Sequence, residues 1–219
     1  LGDVYKRQAP YVLGLDGGAS HTKVVILDHQ GKIVGRGQGG PANYQNVGID
    51  QAQVAIHTAV EQALGQAKLT TADLSAATWA LAGAGREEDR LRFQSMAALL
   101  LPNVSTQIEH DALGALVGGL GHRVGIIIIA GTGMIAYGEN QQGDSARAGG
   151  HGTLLDHGSG YAIALAGLKA VVAAKDHRGH ATTFTTALLS QLEITDVQQL
   201  IPWLYQANRP PTEIARLAK

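Results

Sequence analysis

The chain has 219 residues, 45% of them hydrophobic and 16% charged, and its net charge is −1 because 17 lysines and arginines nearly balance 18 aspartates and glutamates. This composition excludes a disordered chain, and the balanced charge leaves no overall attraction for nucleic acid or for an anionic membrane. The sequence contains no cysteine, which excludes disulfides, iron–sulfur clusters and cysteine nucleophiles. Its 29 glycines predict many tight turns. These features favour an α/β enzyme that acts on a small molecule.

The two ends of the sequence do not have the pattern of a complete protein. Residues 1–8 (LGDVYKRQ) contain no initiator methionine and lead into no predicted element, so we expect a non-native tail. Residues 212–219 have a helical pattern that ends without a cap, which predicts that the C-terminal part is incomplete. No apolar run reaches the roughly 18 residues of a membrane helix, and the N-terminus does not resemble a secretory signal. We therefore expect a cytoplasmic protein with no membrane partner.

The first half of the chain alternates apolar runs with glycine-rich turns and helical patterns. In chain order we predict strands at 11–15, 22–28 and 33–37, a helix at 50–66, a strand at 76–81, a helix at 86–101, a strand at 104–109 and a helix at 112–120. This order predicts a mixed sheet with helices on its faces.

A second unit is predicted to begin with the Gly-Ile-Ile-Ile-Ile-Ala run at 125–130, which we interpret as a buried strand. Like the first strand of the chain, this run leads into a glycine turn and a second strand, which indicates an internal repeat. We place the boundary near 121, with one lobe at 9–121 and a second at 122–219. The remaining predictions are a strand at 134–139, a glycine-rich loop at 149–160, and helices at 161–175, 183–192 and 196–206.

The first glycine turn carries the chemistry of a phosphate site. Small residues let backbone N–H groups approach phosphate oxygens, and the carboxylate of Asp16 can hold Mg²⁺, usually through water. An ordinary hairpin turn would have the same pattern. The second turn, Gly131–Gly133, repeats the arrangement with the hydroxyl of Thr132 in place of the acid. If the two turns faced one another they would hold the phosphates of a nucleotide between two lobes, and the pair is stronger evidence than either turn alone.

Asp111 follows a predicted strand and begins a predicted helix. At that position an aspartate can cap the free N–H groups of the helix. It can also act as a general base that accepts the proton of a substrate hydroxyl. The spacing alone leaves both interpretations open.

Five motif regions occur in order along the chain and carry a resemblance to a known family. They are Asp16-Gly-Gly-Ala-Ser-His-Thr22, Leu81-Ala-Gly-Ala-Gly-Arg86, His110-Asp111-Ala112, Ala130-Gly-Thr-Gly133, and Gly149-Gly-His-Gly152 with Gly158-Ser-Gly-Tyr161. Over about residues 11–219 the chain resembles the BadF/BadG/BcrA/BcrD-type ATPases of the actin/hexokinase/Hsp70 superfamily, in particular the branch of N-acetylglucosamine and glucosamine kinases. The resemblance implies a two-lobed ribonuclease-H-like (actin-like ATPase) fold. It also implies ATP and Mg²⁺ as cofactors and an amino sugar phosphorylated at its 6-hydroxyl, and it leaves a homodimer open.

The resemblance further implies which residues form the site. Asp111 matches the catalytic aspartate that deprotonates the sugar hydroxyl, and Asp16 opens the first phosphate motif. The implied sugar contacts are Asn43, Asp111, Gly150 and Asp156. The implied phosphate contacts are Gly17, Gly18, Ala19, Ser20, His21, Thr22, Gly131, Thr132 and Gly133.

Two features depart from the family pattern. Leu-Leu-Asp-His-Gly-Ser at 154–159 is one residue shorter than the usual Leu-Leu-Gly-Asp-Glu-Gly-Ser, so Asp156 takes the place of the sugar-binding acid and His157 stands where a glutamate is common. The sequence also ends before the adenine-contacting glycine motif of the family. A non-catalytic sugar or nucleotide sensor of the same fold and an inactive fragment therefore remain open. The dehydratase activators of the family need a cysteine-ligated cluster, which this sequence does not support.

Overall fold

The computed structural model describes residues 11–206 and 209–218. The chain forms two compact units, the first extending to Arg123 and the second beginning at Val124. Over the described ranges, no helix is both long enough and apolar enough to span a membrane.

The elements of the two units follow one another in a simple order. The strands are β1 (Tyr11–Gly17), β2 (Thr22–Leu27), β3 (Ile33–Gly39), β4 (Leu74–Leu81), β5 (Ser105–His110), β6 (Gly125–Ala130), β7 (Met134–Glu139) and β8 (Ser145–Gly149). The helices are α1 (Tyr44–Val47), α2 (Ile49–Ala67), α3 (Glu87–Leu100), α4 (Asp111–Leu120), α5 (Gly160–Lys175), α6 (Phe184–Gln191) and α7 (Pro211–Ile214).

A five-stranded mixed sheet in the order β3-β2-β1-β4-β5 forms the centre of the first unit. β1, β2 and β3 are antiparallel neighbours, whereas β4 and β5 run parallel to β1. Short turns reverse the chain between the first three strands, and a helix carries it back before each parallel strand. Leu13 and Leu15 of β1 and Trp79 of β4 pack with Phe93 of α3 in the core. The predicted mixed sheet is confirmed.

Glycines in β3 allow α2 to pack directly on the sheet. A Cβ at Gly37 would overlap the carbonyl oxygen of Ala59, and a Cβ at Gly35 would overlap that of Ala63. Because the facing positions of α2 are alanines, the helix and strand backbones touch. This contact fixes the end of β3 and the loop that leads from it into α1.

The second unit contains the three-stranded antiparallel sheet β6-β7-β8 and a helical core built around α5 and α6. β8 was not predicted, because its sequence Ser-Ala-Arg-Ala-Gly has no β-branched or aromatic residue. The prediction that the isoleucine run is buried is wrong for Ile126 and Ile128, which are 76% and 69% exposed. β6 is an edge strand, and the cross-strand partners of these two residues are Gly138, which has no side chain, and Ala136, whose methyl group covers little.

Two further predictions of secondary structure differ from the observed elements. The segment predicted as a helix at 196–206 is helical from 197 to 206 but not a regular α-helix: a 3₁₀ turn at Val197–Gln199 leads through two α-helical residues into a π-helical turn at Pro202–Gln206. Pro202 disfavours a regular α-helix here, because proline lacks an N–H and its ring clashes with the carbonyl four residues earlier. α1 was not predicted, because four residues are too few to show a helical period.

Candidate active site

Three parallel strands of the first unit end side by side. Gly17 of β1 lies beside Leu81 of β4, and Leu81 lies beside His110 of β5. Neighbouring strands are about 4.8 Å apart, so the segments that follow β1 and β5 begin about 10 Å from each other. Ligands of open α/β sheets bind at the carboxyl ends of such strands. The predicted site residues of this unit, Asp16 and Asp111 among them, lie at this edge of the sheet.

The turn between β1 and β2 has free backbone donors at its tip. Gly18 donates its N–H to the carbonyl of His21 at 3.0 Å, which closes the turn. The N–H groups of Ala19 and Ser20 make no hydrogen bond to any described residue, and the side chains of Ala19, Ser20 and His21 are exposed. Successive free N–H groups in a turn can form an anion-binding concavity. This part of the turn fits a phosphate group.

Asp16 is the acidic residue beside these donors. It is exposed, and its carboxylate makes no hydrogen bond or ion pair within the described part of the chain. Mg²⁺ is usually held by one or two carboxylates together with water and substrate phosphates, so this carboxylate fits the metal. The residues described here contain no group of three or more metal-binding side chains. Asp16 is therefore the carboxylate that lies beside the free donors of the first turn and fits Mg²⁺ together with water and phosphate oxygens.

Two of the predicted phosphate-binding residues, Gly17 and Thr22, have a structural role. A Cβ at Gly17 would overlap the side chain of Leu81 and lie 2.9 Å from the Cβ of Ala42, so the glycine is required by packing. Thr22 is fully buried, and its hydroxyl donates to the carbonyl of Gly40 at 2.8 Å. The hydroxyl hydrogen of Thr22 is therefore used within the protein, and the predicted contact of this residue with phosphate stays a prediction.

Asp111 is the first residue of α4, but it is not the cap of the helix. The N-cap is His110, whose Nδ1 accepts a hydrogen bond from the N–H of Leu113 at 3.1 Å. Oδ1 of Asp111 accepts from the N–H of Ala112 at 2.9 Å, whereas Oδ2 makes no hydrogen bond to any described residue. The N-cap position thus belongs to His110, while one oxygen of Asp111 satisfies a single free N–H group of the first turn. Its half-buried carboxylate keeps one oxygen free to meet a substrate hydroxyl.

The loop between β3 and α1 is tied to the first turn and carries Asn43. Ala42 donates its N–H to the carbonyl of Gly18 at 3.0 Å. Asn43 then caps α1, because its Oδ1 accepts from the N–H of Gln45 at 3.1 Å. The Nδ2 amide of Asn43 has no partner in the described ranges. It is a donor available to a ligand at the same sheet edge.

A cluster that the sequence analysis missed lies next to Asn43. Asp89, only 2% exposed, accepts hydrogen bonds from the hydroxyl of Tyr44 and from Arg86, whose Nε lies 2.8 Å from Oδ2. The hydrogen bond from Arg86 lowers the pKa of Asp89, and the bond to Asp89 raises the pKa of Tyr44. The three-residue spacing of Arg86 and Asp89 is a signal that could have found the ion pair. Nothing in the sequence marks the contact with Tyr44, 45 residues away.

The β6–β7 turn of the second unit also has free backbone donors, although it is one residue shorter than the first turn. Gly131 donates its N–H to the carbonyl of Gly133 at 2.9 Å. The N–H groups of Thr132 and Gly133 have no hydrogen-bond partner within the described residues. A Cβ at Gly131 or Gly133 would meet no atom of the described residues within 4 Å, so these residues leave the tip of the turn open. This turn also fits a phosphate group.

The predicted sugar-binding residues of the second unit belong to one tightly held loop. Asp156 is 6% exposed, and its Oδ2 accepts from the N–H groups of His151 at 2.8 Å and Gly152 at 3.0 Å. Gly150 donates its N–H to the carbonyl of Met134 at 2.8 Å, with a φ of +76° that favours glycine. One oxygen of Asp156 thus holds the loop. Its Oδ1 accepts no hydrogen bond from the described residues.

The end of this loop is fixed against the second turn. Gly160 donates its N–H to the carbonyl of Gly131 at 2.7 Å, and a Cβ at Gly160 would lie 2.9 Å from that oxygen. Ser159 is fully buried and caps α5 through the N–H of Ala162 at 3.1 Å. The close approach therefore requires glycine at 160. The second turn and the loop that carries Asp156 form one connected piece of structure.

These features define a protein of the actin-like ATPase class. Residues 13–219 match the BadF/BadG/BcrA/BcrD ATPase family, and the chain belongs to that family. It is 36% identical over 203 residues to N-acetyl-D-glucosamine kinase of Dictyostelium discoideum, a match that covers 88% of this chain and 64% of that protein. It is 34% identical over 212 residues to N-acetylmuramic acid/N-acetylglucosamine kinase of Clostridium acetobutylicum, covering 95% of this chain and 69% of that protein.

A solved structure shares the same fold. It is a crystal structure from Chromobacterium violaceum, provisionally assigned as an N-acetylglucosamine kinase, which matches with a TM-score of 0.73 at 26% identity and covers 95% of this chain and 72% of that one. The chain spans about two thirds of the length of the curated relatives it matches, 64% and 69% of the two named above. The predicted family and fold class are confirmed.

Proposed function

We propose that this protein transfers the γ-phosphoryl group of ATP to the 6-hydroxyl of an amino sugar, N-acetylglucosamine or glucosamine. The observation that carries the proposal is the free Oδ2 of Asp111, which remains available because His110 caps α4. The family and the names of two relatives, both kinases of N-acetylglucosamine, support the choice of reaction and substrate.

Asp111 is the general base in this proposal. Its Oδ2 accepts the proton of the sugar hydroxyl while that oxygen forms a bond to the γ-phosphorus, and the bond between this phosphorus and the β–γ bridging oxygen breaks to release ADP. Little covalent chemistry is asked of the protein in phosphoryl transfer, so positioning supplies most of the rate. A carboxylate fixed at the start of a helix is suited to that task.

Each unit, taken by itself, offers backbone donors to a phosphate group in this proposal. In the first unit these are the free N–H groups of Ala19 and Ser20, with the exposed His21 beside them. In the second unit they are the free N–H groups of Thr132 and Gly133. Mg²⁺, when bound at Asp16, neutralises charge on the phosphate oxygens.

The sugar is bound by polar groups that the fold leaves free. In the first unit the Nδ2 of Asn43 is a donor for a sugar hydroxyl or acetamido oxygen. In the second unit the Oδ1 of Asp156 is an acceptor, and Gly150 keeps the loop close to β7. Fixed donors and acceptors of this kind give a binding site its specificity.

Because the phosphoryl donor is ATP, we place the reaction in the cytoplasm.

The test is an assay of ADP release with the protein expressed from its complete reading frame. The sugars are N-acetylglucosamine, glucosamine, N-acetylmannosamine and glucose, and phosphorus–proton NMR of the product identifies the phosphorylated position. Turnover with one of the first two sugars and coupling of phosphorus to the protons on carbon 6 are expected. Coupling to another position overturns the 6-hydroxyl. Sugar binding without ADP release favours the non-catalytic sensor.

A further inference from the structure

We infer that Tyr44, Asp89 and Arg86 are positioning residues that hold Asn43 in the orientation required for sugar binding. The inference rests on the proposed role of Asn43 and extends it to three side chains that act through that residue. They join the β3–α1 loop, which carries Asn43, to the start of α3.

The buried carboxylate of Asp89 is the hydrogen-bonded core of this cluster. Both oxygens of the buried Asp89 carboxylate are used: Oδ1 accepts from the hydroxyl of Tyr44 and from Nη2 of Arg86 at 3.2 Å, and Oδ2 accepts from Nε of Arg86 at 2.8 Å. Hydrogen bonds to an ionised acceptor are about twice as strong as those between neutral groups. Asp89 therefore anchors Tyr44, the residue that follows Asn43 in the chain.

The ring of Tyr44 is held as firmly as its hydroxyl. It packs edge-on against the fully buried Phe93 of α3, with the ring centroids 5.5 Å apart and the planes at 72°. The guanidinium of Arg92 lies 5.7 Å from the centroid of the Tyr44 ring. Aromatic and cation–π contacts of this geometry are directional. Tyr44 is thus fixed to α3 both through its hydroxyl, which donates to Asp89, and through its ring, which contacts Phe93 and Arg92.

Asn43 itself is confined on the other side by the loop between β4 and α3. A Cβ at Gly83 would lie 3.0 Å from Oδ1 of Asn43, and Gly83 has a φ of +89°, where side chains are strained. The same loop is tied to α3, because Nε of Arg90 donates to the carbonyl of Ala84 at 3.1 Å. Asn43 therefore has little freedom to move while the cluster is intact.

The test begins with Tyr44→Phe, which removes the hydroxyl and keeps the ring. We expect the KM for the sugar to rise about tenfold, as the loss of one charge-assisted hydrogen bond implies, with kcat and the KM for ATP unchanged. A double-mutant cycle with Asn43→Ala gives the decisive readout: if Tyr44 acts through Asn43, Tyr44→Phe has little further effect in that background. Additive effects of the two substitutions overturn the inference.

The matched control is Asp73→Ala. Asp73 accepts two hydrogen bonds from Thr70 just before the opposite end of β4, at 2.8 and 2.9 Å, and alanine removes both acceptors, which weakens the same unit away from the site. We expect Asp73→Ala to lower the Tm without changing the sugar KM. An equal rise in KM for both variants would mean that general destabilisation explains the effect, and it would overturn the inference.

Hydrogen exchange separates this inference from the proposed function. If the wild-type protein shows neither turnover nor sugar binding, the proposed function has failed, and exchange still decides whether the cluster fixes the loop. The N–H groups of Asn46 and Val47 bond to the carbonyl of Asn43. In Tyr44→Phe they should exchange at least tenfold faster, whereas the N–H of Leu113 in α4 should not change. Unchanged exchange at Asn46 and Val47 overturns the inference.

Discussion

Gly114 of α4 and Ala80 of β4 are in such close contact that a Cβ on Gly114 would overlap the Cβ of Ala80. Ala80 lies beside Asp16 in the sheet register. Helix α4 is therefore packed on the sheet face to which Asp16 belongs. Because Asp111 precedes Gly114 by three residues, this contact sets how far the proposed base stands from the sheet.

Gly114→Ala is expected to push α4 away from the sheet. Overpacking of this kind costs about 1 to 3 kcal/mol of unfolding free energy, and the displaced Asp111 should lower kcat. Gly118→Ala in the same helix is the matched control, since a Cβ there would meet no atom of the described part of the chain within 4 Å. It should stabilise the protein by about 0.5 to 1 kcal/mol. Urea unfolding and turnover of both variants check this, and equal stability of the two contradicts the packing argument.

Ser20→Asp places a carboxylate where the first turn is proposed to meet a phosphate. Like charges about 4 Å apart near a protein surface repel by roughly 1 to 4 kcal/mol, so the KM for ATP should rise about tenfold or more. The KM for the sugar should stay the same. His29→Asp, in the exposed turn at the other end of β2, adds the same charge away from the site. Steady-state kinetics of both variants test this prediction. A similar change in the KM for ATP in the two variants would refute a phosphate site at Ser20.

The Asp89 cluster predicts a pH-dependent stability. The hydrogen bond from Arg86 lowers the pKa of Asp89 in the folded protein. A carboxyl of this kind stabilises the fold above its unfolded pKa, about 3.9 for aspartate, and loses that effect as the pH falls through the folded pKa. Asp89→Asn should cost about 1 to 3 kcal/mol at pH 7. In urea unfolding from pH 7 to pH 2, the difference from wild type should shrink below pH 4, and a constant difference would contradict the ion-pair account.

The local features of this fold could be predicted from the sequence. A glycine turn between two apolar runs specifies a hairpin through neighbouring residues alone, and the turns at Gly18 and Gly131 were found in this way. Helices α2 to α5 show a clear apolar period or a clear end signal. The position of Asp111 after β5 also follows from local patterns.

The features that could not be predicted depend on contacts between distant segments. The motif alone predicts a free hydroxyl at Thr22. The chain comes back to this position 18 residues later, and the carbonyl of Gly40 accepts the hydrogen bond from that buried hydroxyl. The capping role of His110 could not be predicted, because helix caps are usually serine, threonine, aspartate or asparagine. The contact of Tyr44 with Asp89 depends on how α1 packs on α3, which no local pattern encodes.

The most direct test of the account compares phosphoryl transfer to N-acetylglucosamine by the wild-type protein and by Asp111→Asn in a single turnover. Asparagine keeps the oxygen that accepts from the N–H of Ala112 but cannot take a proton. The account predicts a rate about 10²- to 10⁴-fold lower, with the Tm and the Kd for the sugar unchanged. Transfer by Asp111→Asn at a rate near that of the wild type would contradict it.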